Sequence, residues 1–463
     1  MSVRTVERRT PGVARCLGAA DTARVLTRVL LPTVLEGPVL RRRWAMALAE
    51  RFQWEATAVA TVRGLFARRG SGPLLMRAFG RRLALVGDPD HVRRVLEGTP
   101  TPFSPASAEK RAALDQFQPH GSLISQGRVR QERRRANEAA LEPGRPLHRA
   151  AGRIAAVAGA EAAAVTRQAA GRGVLDWDTF ARGWWRAVRS IVFGEAAREE
   201  AEPVRTLERL RAAGNWAYLS PRRRALRDRF VAGLREAVGR AEPGSLAAAL
   251  PDPAGTEPDV DPYGQVAHWL FAYDAAGMAT LRTLALLATH PDAAARAHRE
   301  AAQGVRGAGA GPAAQSAGQP AELPFLRACV LESVRLWPTT PLLLRESSDE
   351  TDLDGAHLPE GTALVLFTPY LHRSAPAGAY AHRFAPDIWL DGTAAANPAL
   401  VPFSSGPGRC PGRDVVLSTA SNWLAGALTA GPAHGLVSRT RPVPGAPLPA
   451  TLDHFGLRFT VRG

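Results

Sequence analysis

The segment from Pro262 to about Thr289 constrains the fold more than any other part of the chain. It is apolar on most faces of a helix, and a helix that is hydrophobic all round has to be buried. Asp261 suits an N-cap and Pro262 the first helical position. His290-Pro291 closes the segment and opens another helix. At the helical rise this stretch is roughly 40 Å long, enough to cross a whole domain. The remaining chain must therefore wrap around it. That requirement points to a large, mainly helical protein.

The 463 residues supply the material, with hydrophobic residues at 45%, the ordinary globular range. No stretch reaches the roughly 20 apolar residues of a membrane span. The best candidate, Val25 to Leu40, is broken by Arg28, Pro32, Glu36 and Pro38. The N-terminus shows no signal-peptide pattern. The expectation is a cytoplasmic protein with no membrane span. Net charge is +16, which at face value invites a nucleic-acid reading. Lys110 is however the only lysine, and every other basic residue is arginine. Abundant Ala, Gly and Pro beside that bias suggest GC-rich codons. The charges are interleaved with acids, and runs such as Arg41 to Arg43 and Arg133 to Arg135 are short. No nucleic-acid partner is expected, and an acidic protein partner is the better use of the surface.

Residues 1–20 read as a loose, arginine-rich tail and 21–463 as one domain. Helical spacing covers Asp21 to about Arg69. Apolar runs on either side of Phe79-Gly80 read as a hairpin. Helix formers dominate Arg128 to Arg240, with breaks at Pro143 to Pro146, Gly171 to Gly173 and Ser220-Pro221. Residues 304 to 320 are low-complexity and read as a surface loop. A helix follows from Pro324 to about Trp337, then strands at Leu342 to Leu344 and Ala363 to Phe367 with a turn at Asp354-Gly355. A final helix runs from about Arg413 to Leu428.

Cys16, Cys329 and Cys410 are far apart and show no Cys-x-x-Cys spacing, so neither a disulfide framework nor a structural zinc site is suggested. Cys410 stands out by its setting, Pro402-Phe403-Ser404-Ser405-Gly406-Pro407-Gly408-Arg409-Cys410-Pro411-Gly412, just before a helix. A helix N-terminus favours a thiolate, and small residues let backbone approach a flat ligand. A structural turn around an inert cysteine fits these residues equally well.

This segment resembles the haem-binding loop of the cytochrome P-450 family, Phe-x-x-Gly-x-Arg-x-Cys-x-Gly. Phe403, Gly406, Cys410 and Gly412 match, while Gly408 stands where the family has arginine and Arg409 is its neighbour. Two further motifs join it. Glu332-Ser333-Val334-Arg335 resembles the family's structural Glu-x-x-Arg, although Ile388 occupies the usual position of its third, arginine partner. Ala276-Gly277-Met278-Ala279-Thr280, inside the long apolar segment, resembles the oxygen-binding groove. There Ala279 replaces the customary acid, and Asp274 lies six residues before Thr280, off its face.

The resemblance implies a mainly α fold with small β-sheets and haem b between the long helix and the Cys410 loop. Cys410 would be the iron ligand, with Phe403 beside it and Gly412 and Arg409 in the same loop. Arg134, with Arg130 in place of a tryptophan, and Arg345 would meet the haem propionates. Ala276, Gly277 and Thr280 would form the catalytic groove. The implied reaction inserts one oxygen atom from O2 into an apolar small molecule, in secondary metabolism. Electrons would come from a separate ferredoxin or flavodoxin-type donor. Substrate contacts are expected from Phe103 to Leu123, Phe271 to Ala276 and Thr340 to Leu343. The departures at Arg130, Ala279, Ile388 and Gly408 motivate two rivals: a peroxide-using or isomerising haem-thiolate enzyme, and a catalytically silent haem-binding protein.

Overall fold

The computed structural model describes residues 15–217, 219–307, 321–353, 355–374, 378–431 and 433–462. It is mainly helical. The central helix, Val266–Thr289, is preceded by one 3-10 turn, Tyr263–Gln265. Asp261 lies just before that turn in the left-handed region (φ 46) and accepts from the Gly264 N–H at 3.2 Å. The α-helix thus starts four residues later than Pro262, because the chain first turns tightly over the Asp261 carboxylate. By length and composition the segment Tyr263–Thr289 could cross a membrane, yet most of it is buried inside the protein. Its hydrophobicity is that of a core helix.

The helices packed around it explain that burial. Trp177–Val192, Pro324–Leu336 and Arg413–Thr429 all lie against the central helix, and Ala151–Arg172 packs on Arg413–Thr429 and on Trp177–Val192. An aromatic block fills the join. Trp184 stacks on Phe180 at 5.8 Å between ring centroids, and Trp423 meets both edge-on at 5.6 and 5.3 Å. Such arrangements suit the ring quadrupoles.

A six-stranded mixed sheet flanks the helices, in the order Arg15–Cys16, Leu74–Ala78, Arg81–Val86, Ala363–Phe367, Leu342–Ser347, Phe103–Ser104. The expected hairpin is its start. Phe79 and Gly80 both take positive φ, 53 and 73, which matches the right-handed twist of the flanking strands. Arg345 pairs with Leu364 in this sheet, and that register aims its side chain at the Cys410 loop. Residues 15–16 form the edge strand and a helix begins at Ala19, so ordered structure starts before residue 20. The low-complexity loop lies largely, and Asp354 of the Asp354-Gly355 turn wholly, outside the described residues.

Candidate functional site

The 403–412 loop is held by its own backbone. The Cys410 N–H donates to Phe403 O at 2.9 Å, and the Arg409 N–H to Gly406 O at 3.0 Å. Gly406 sits at φ 61, and a Cβ there would lie 2.5 Å from the Leu96 carbonyl oxygen. Only glycine fits that approach. The loop ends in the helix Arg413–Thr429, which packs against the central helix. A backbone N–H from Gly412 reaches the Cys410 sulfur, and Arg134 and Arg409 add positive charge. Burial outweighs them and pushes the thiol upward. The expected lowering at a helix N-terminus is therefore overridden in the protein alone, and a bound cation is what would stabilise the thiolate.

Glu332 and Arg335 are fully buried and paired. Every remaining valence of the pair is met by backbone or indole. Arg335 donates to the carbonyls of His372, Ala381, Tyr380 and Arg383 at 2.8 to 3.2 Å. Glu332 accepts from the Ala385 N–H at 2.7 Å and the Trp389 indole at 3.3 Å. Among the described residues no second arginine side chain joins the pair: Ile388 is buried in a small apolar cluster, and Arg383 contributes a carbonyl. His372 closes the cage, with Nδ1 on Arg335 O at 3.1 Å and Nε2 accepting from the Val401 N–H at 3.1 Å. That pattern requires neutral imidazole, and burial lowers its pKa to about 3.

On the central helix Thr280 is fully buried, and its hydroxyl donates to Ala276 O at 2.8 Å. Gly277 has a packing reason. A Cβ there would meet Trp184 Nε1 at 2.9 Å, and that indole donates to Tyr273 O at 2.9 Å. Asp274 does not approach Thr280 as a hydrogen-bond partner. It is paired instead with Arg211 of the helix Glu202–Gly214 at 2.7 Å, and the Arg211 guanidinium lies 4.9 Å from the Phe271 ring.

The arginines divide into two groups. Arg134 is engaged, bonding Glu138 and donating to Arg409 O at 2.7 Å, while Arg409 itself is exposed. Arg345 is buried and bonded only to neutral groups: Thr99 Oγ1 at 3.0 Å, Leu344 O at 2.9 Å and Ser404 Oγ at 3.1 Å. Its Nη2 lies 2.8 Å from where a Gly408 Cβ would be. The guanidinium thus fills the place a larger residue at 408 would need. Arg130, one turn before Arg134, is buried with its Nε unpartnered.

Comparison with known proteins bears on this geometry. A family model described as Cytochrome P450 matches residues 272–418, the span from the central helix through the Cys410 loop. A solved cytochrome P450, CYP102L1, superposes with a TM-score of 0.68 at 19% identity, covering 98% of this chain and 100% of that one. Over those residues the chain matches the cytochrome P450 family, and its fold is that of a solved cytochrome P450. Among curated P450 relatives, cyclooctat-9-en-7-ol 5-monooxygenase of Streptomyces melanosporofaciens is 28% identical over 53% of each chain. The mitochondrial 1,25-dihydroxyvitamin D(3) 24-hydroxylase of Rattus norvegicus is 37% identical over 22% of this chain and 21% of its own. The chain thus spans about half or less of the length of the curated relatives it matches.

The family matched over residues 272–418 implies a haem iron, and the residues fit one. Cys410 offers a single soft ligand. Arg345 and Arg130 are buried cations without a carboxylate partner among the described residues. Burying charge without compensation is costly, so an anionic ligand is what these two side chains lack. The sequence motifs exposed Cys410, Thr280 and Arg345. They missed Trp184 and Arg211, which reach the central helix from elements with no motif of their own.

Proposed function

We propose that this P450 binds haem b and inserts one atom of O2 into an apolar small molecule, using two electrons from a separate donor. The observation that carries the reading is Cys410, a half-buried thiol at the head of a helix packed on the Thr280 helix. When bound, haem iron supplies the oxygen-activating redox chemistry. The chain's part is to ligate through Cys410 and to hold carboxylates with Arg345 and Arg130. It also excludes water with the aromatic and aliphatic wall. The monooxygenase and hydroxylase named above support the reaction class. We read residues 21–463 as one such domain.

Thr280 holds a movable proton at Oγ1, now donated to Ala276 O. Ala279 gives it no neighbouring acid, and Asp274 is committed to Arg211. Water or a substrate hydroxyl must then bring the proton. The Phe117–Phe271 pair, with ring centroids 5.9 Å apart, and Ala276 support an apolar substrate. Exposed Arg135, Arg145, Arg149 and Arg409 lie on the Cys410 loop and the chain leading from the Arg134 helix. They suit an acidic ferredoxin or flavodoxin.

The test is the absorption spectrum of the reduced, CO-bound protein beside Cys410→Ala. A red-shifted, thiolate-type Soret band in wild type that disappears in the variant is expected. A histidine-type band in both proteins would overturn the reading. The missing acid beside Thr280 favours one second reading, peroxide as oxidant. Turnover with NAD(P)H, reductase and ferredoxin, compared with hydrogen peroxide alone, separates the two.

A further inference from the structure

Lys110 is the single lysine of a chain that uses arginine at every other basic position. It belongs to the short helix Ala108–Leu114, and its Nζ donates to Pro105 O at 3.0 Å and Leu344 O at 2.8 Å. Arg345 Nη1 donates to the same Leu344 oxygen at 2.9 Å. Two cations therefore share one carbonyl and can be no farther apart than those two bonds laid end to end. Like charges so close repel strongly where water is scarce.

Only the neighbouring Glu109 carboxylate offsets part of that repulsion, and less than burial and Arg345 impose. Neither Lys110 nor Arg345 has a carboxylate within ion-pair distance among the described residues. Glu109, the acid adjacent in sequence, is bonded to Arg81. Burial first, and then the Arg345 charge, push the Lys110 ammonium well below the usual lysine range. The field of Arg130 reaches Arg345 in turn, and the buried Arg130 Nε has no partner. A lysine ammonium has three donors, of which two are occupied here.

We propose that Lys110 is a further cofactor-binding residue, whose third N–H completes with Arg345 and Arg130 a cradle for a haem carboxylate. The inference rests on the haem reading above. It also accounts for the lone lysine. A tetrahedral ammonium can span two carbonyls and a carboxylate that converge from different directions, whereas a guanidinium presents its donors in one plane. With Gly408 lacking a side chain, the positive charge of this wall comes from Lys110 and Arg345 instead of the loop.

The test uses full-length wild type and Lys110→Gln, which keeps an N–H donor for a carbonyl and removes the charge. Each is loaded with haem b or with its propionate dimethyl ester, and haem transfer to excess apomyoglobin is timed. Lys110→Gln should release haem b about tenfold faster than wild type, in line with loss of a charge-assisted bond, and the difference should disappear with the ester. Equal release of haem b from both proteins overturns the inference, as does an effect of the same size with both haems. Wild type that takes up no haem would instead overturn the underlying reading. Acetylation of Lys110 in wild type, followed by mass spectrometry, covers the case of a variant that does not fold. Protection by haem b exceeding that by the ester supports the cradle, and equal protection overturns it.

Discussion

Two groups of buried cations in this protein are built on opposite plans. Around Arg335 every donor has an acceptor, one carboxylate and four carbonyls, and a neutral histidine closes the cage by donating to the Arg335 carbonyl. Around Arg345 the donors meet only neutral oxygens, another cation leans on the same carbonyl, and Arg130 keeps an unpartnered nitrogen. A buried charge that serves the fold is satisfied from within, because an uncompensated one would cost several kcal/mol. A buried charge left incomplete marks a place for something from outside. The contrast distinguishes architecture from binding among side chains of the same type.

Glu332→Ala should break that contrast most severely. It strands Arg335 in the core, and breaking a buried pair typically costs about 3–5 kcal/mol. Urea unfolding of the haem-free variant should show little or no folded baseline. Loss of less than about 1 kcal/mol would mean that the carbonyl cage alone satisfies Arg335.

Acid should act next. The folded protein holds His372 neutral, with a pKa of about 3 against 6.5 for the free side chain. Between those values the unfolded chain binds more protons, so stability is complete above about pH 6.5 and falls as the pH drops toward 3. Comparing wild type with His372→Asn by denaturant midpoint across that range should show a shallower slope in the variant. Identical slopes would remove His372 from the cage's energetics.

Arg345→Met should have the smallest effect on the haem-free protein, within about 1 kcal/mol of wild type. It forfeits bonds to neutral groups worth roughly 1 kcal/mol each but relieves repulsion against Lys110. The same substitution should weaken haem retention about tenfold, read by transfer to apomyoglobin. A variant that unfolds without haem would put Arg345 on the structural side of the comparison.

Much of this division was legible in the chain. The central helix announces itself by continuous apolarity, and the Cys410 loop by glycines around a lone cysteine. Glu332 and Arg335 are three apart on one helix, so their pairing follows from local geometry. What stayed hidden depends on segments distant in sequence. Gly277 in a helix is a visible oddity, but its cause is Trp184, more than ninety residues earlier. Asp274 reads as a stray acid until Arg211 arrives from another helix. The start of the central helix was misplaced because Pro262 and Asp261 satisfy the N-terminal preferences, while the chain there forms a 3-10 turn instead. Lys110 was visible as a count, but its meaning required the Leu344 carbonyl that it shares with Arg345.

The apolarity of the central helix also has a consequence in time. Pro324–Leu336 and Arg413–Thr429, two of the helices that cover it, lie downstream of Thr289 and leave the ribosome later. At ordinary synthesis rates that interval is on the order of ten seconds. Throughout it the nascent chain displays a segment long and apolar enough to enter a bilayer. Trp177–Val192, which precedes the central helix in the chain and packs on it, is the cover available during that interval.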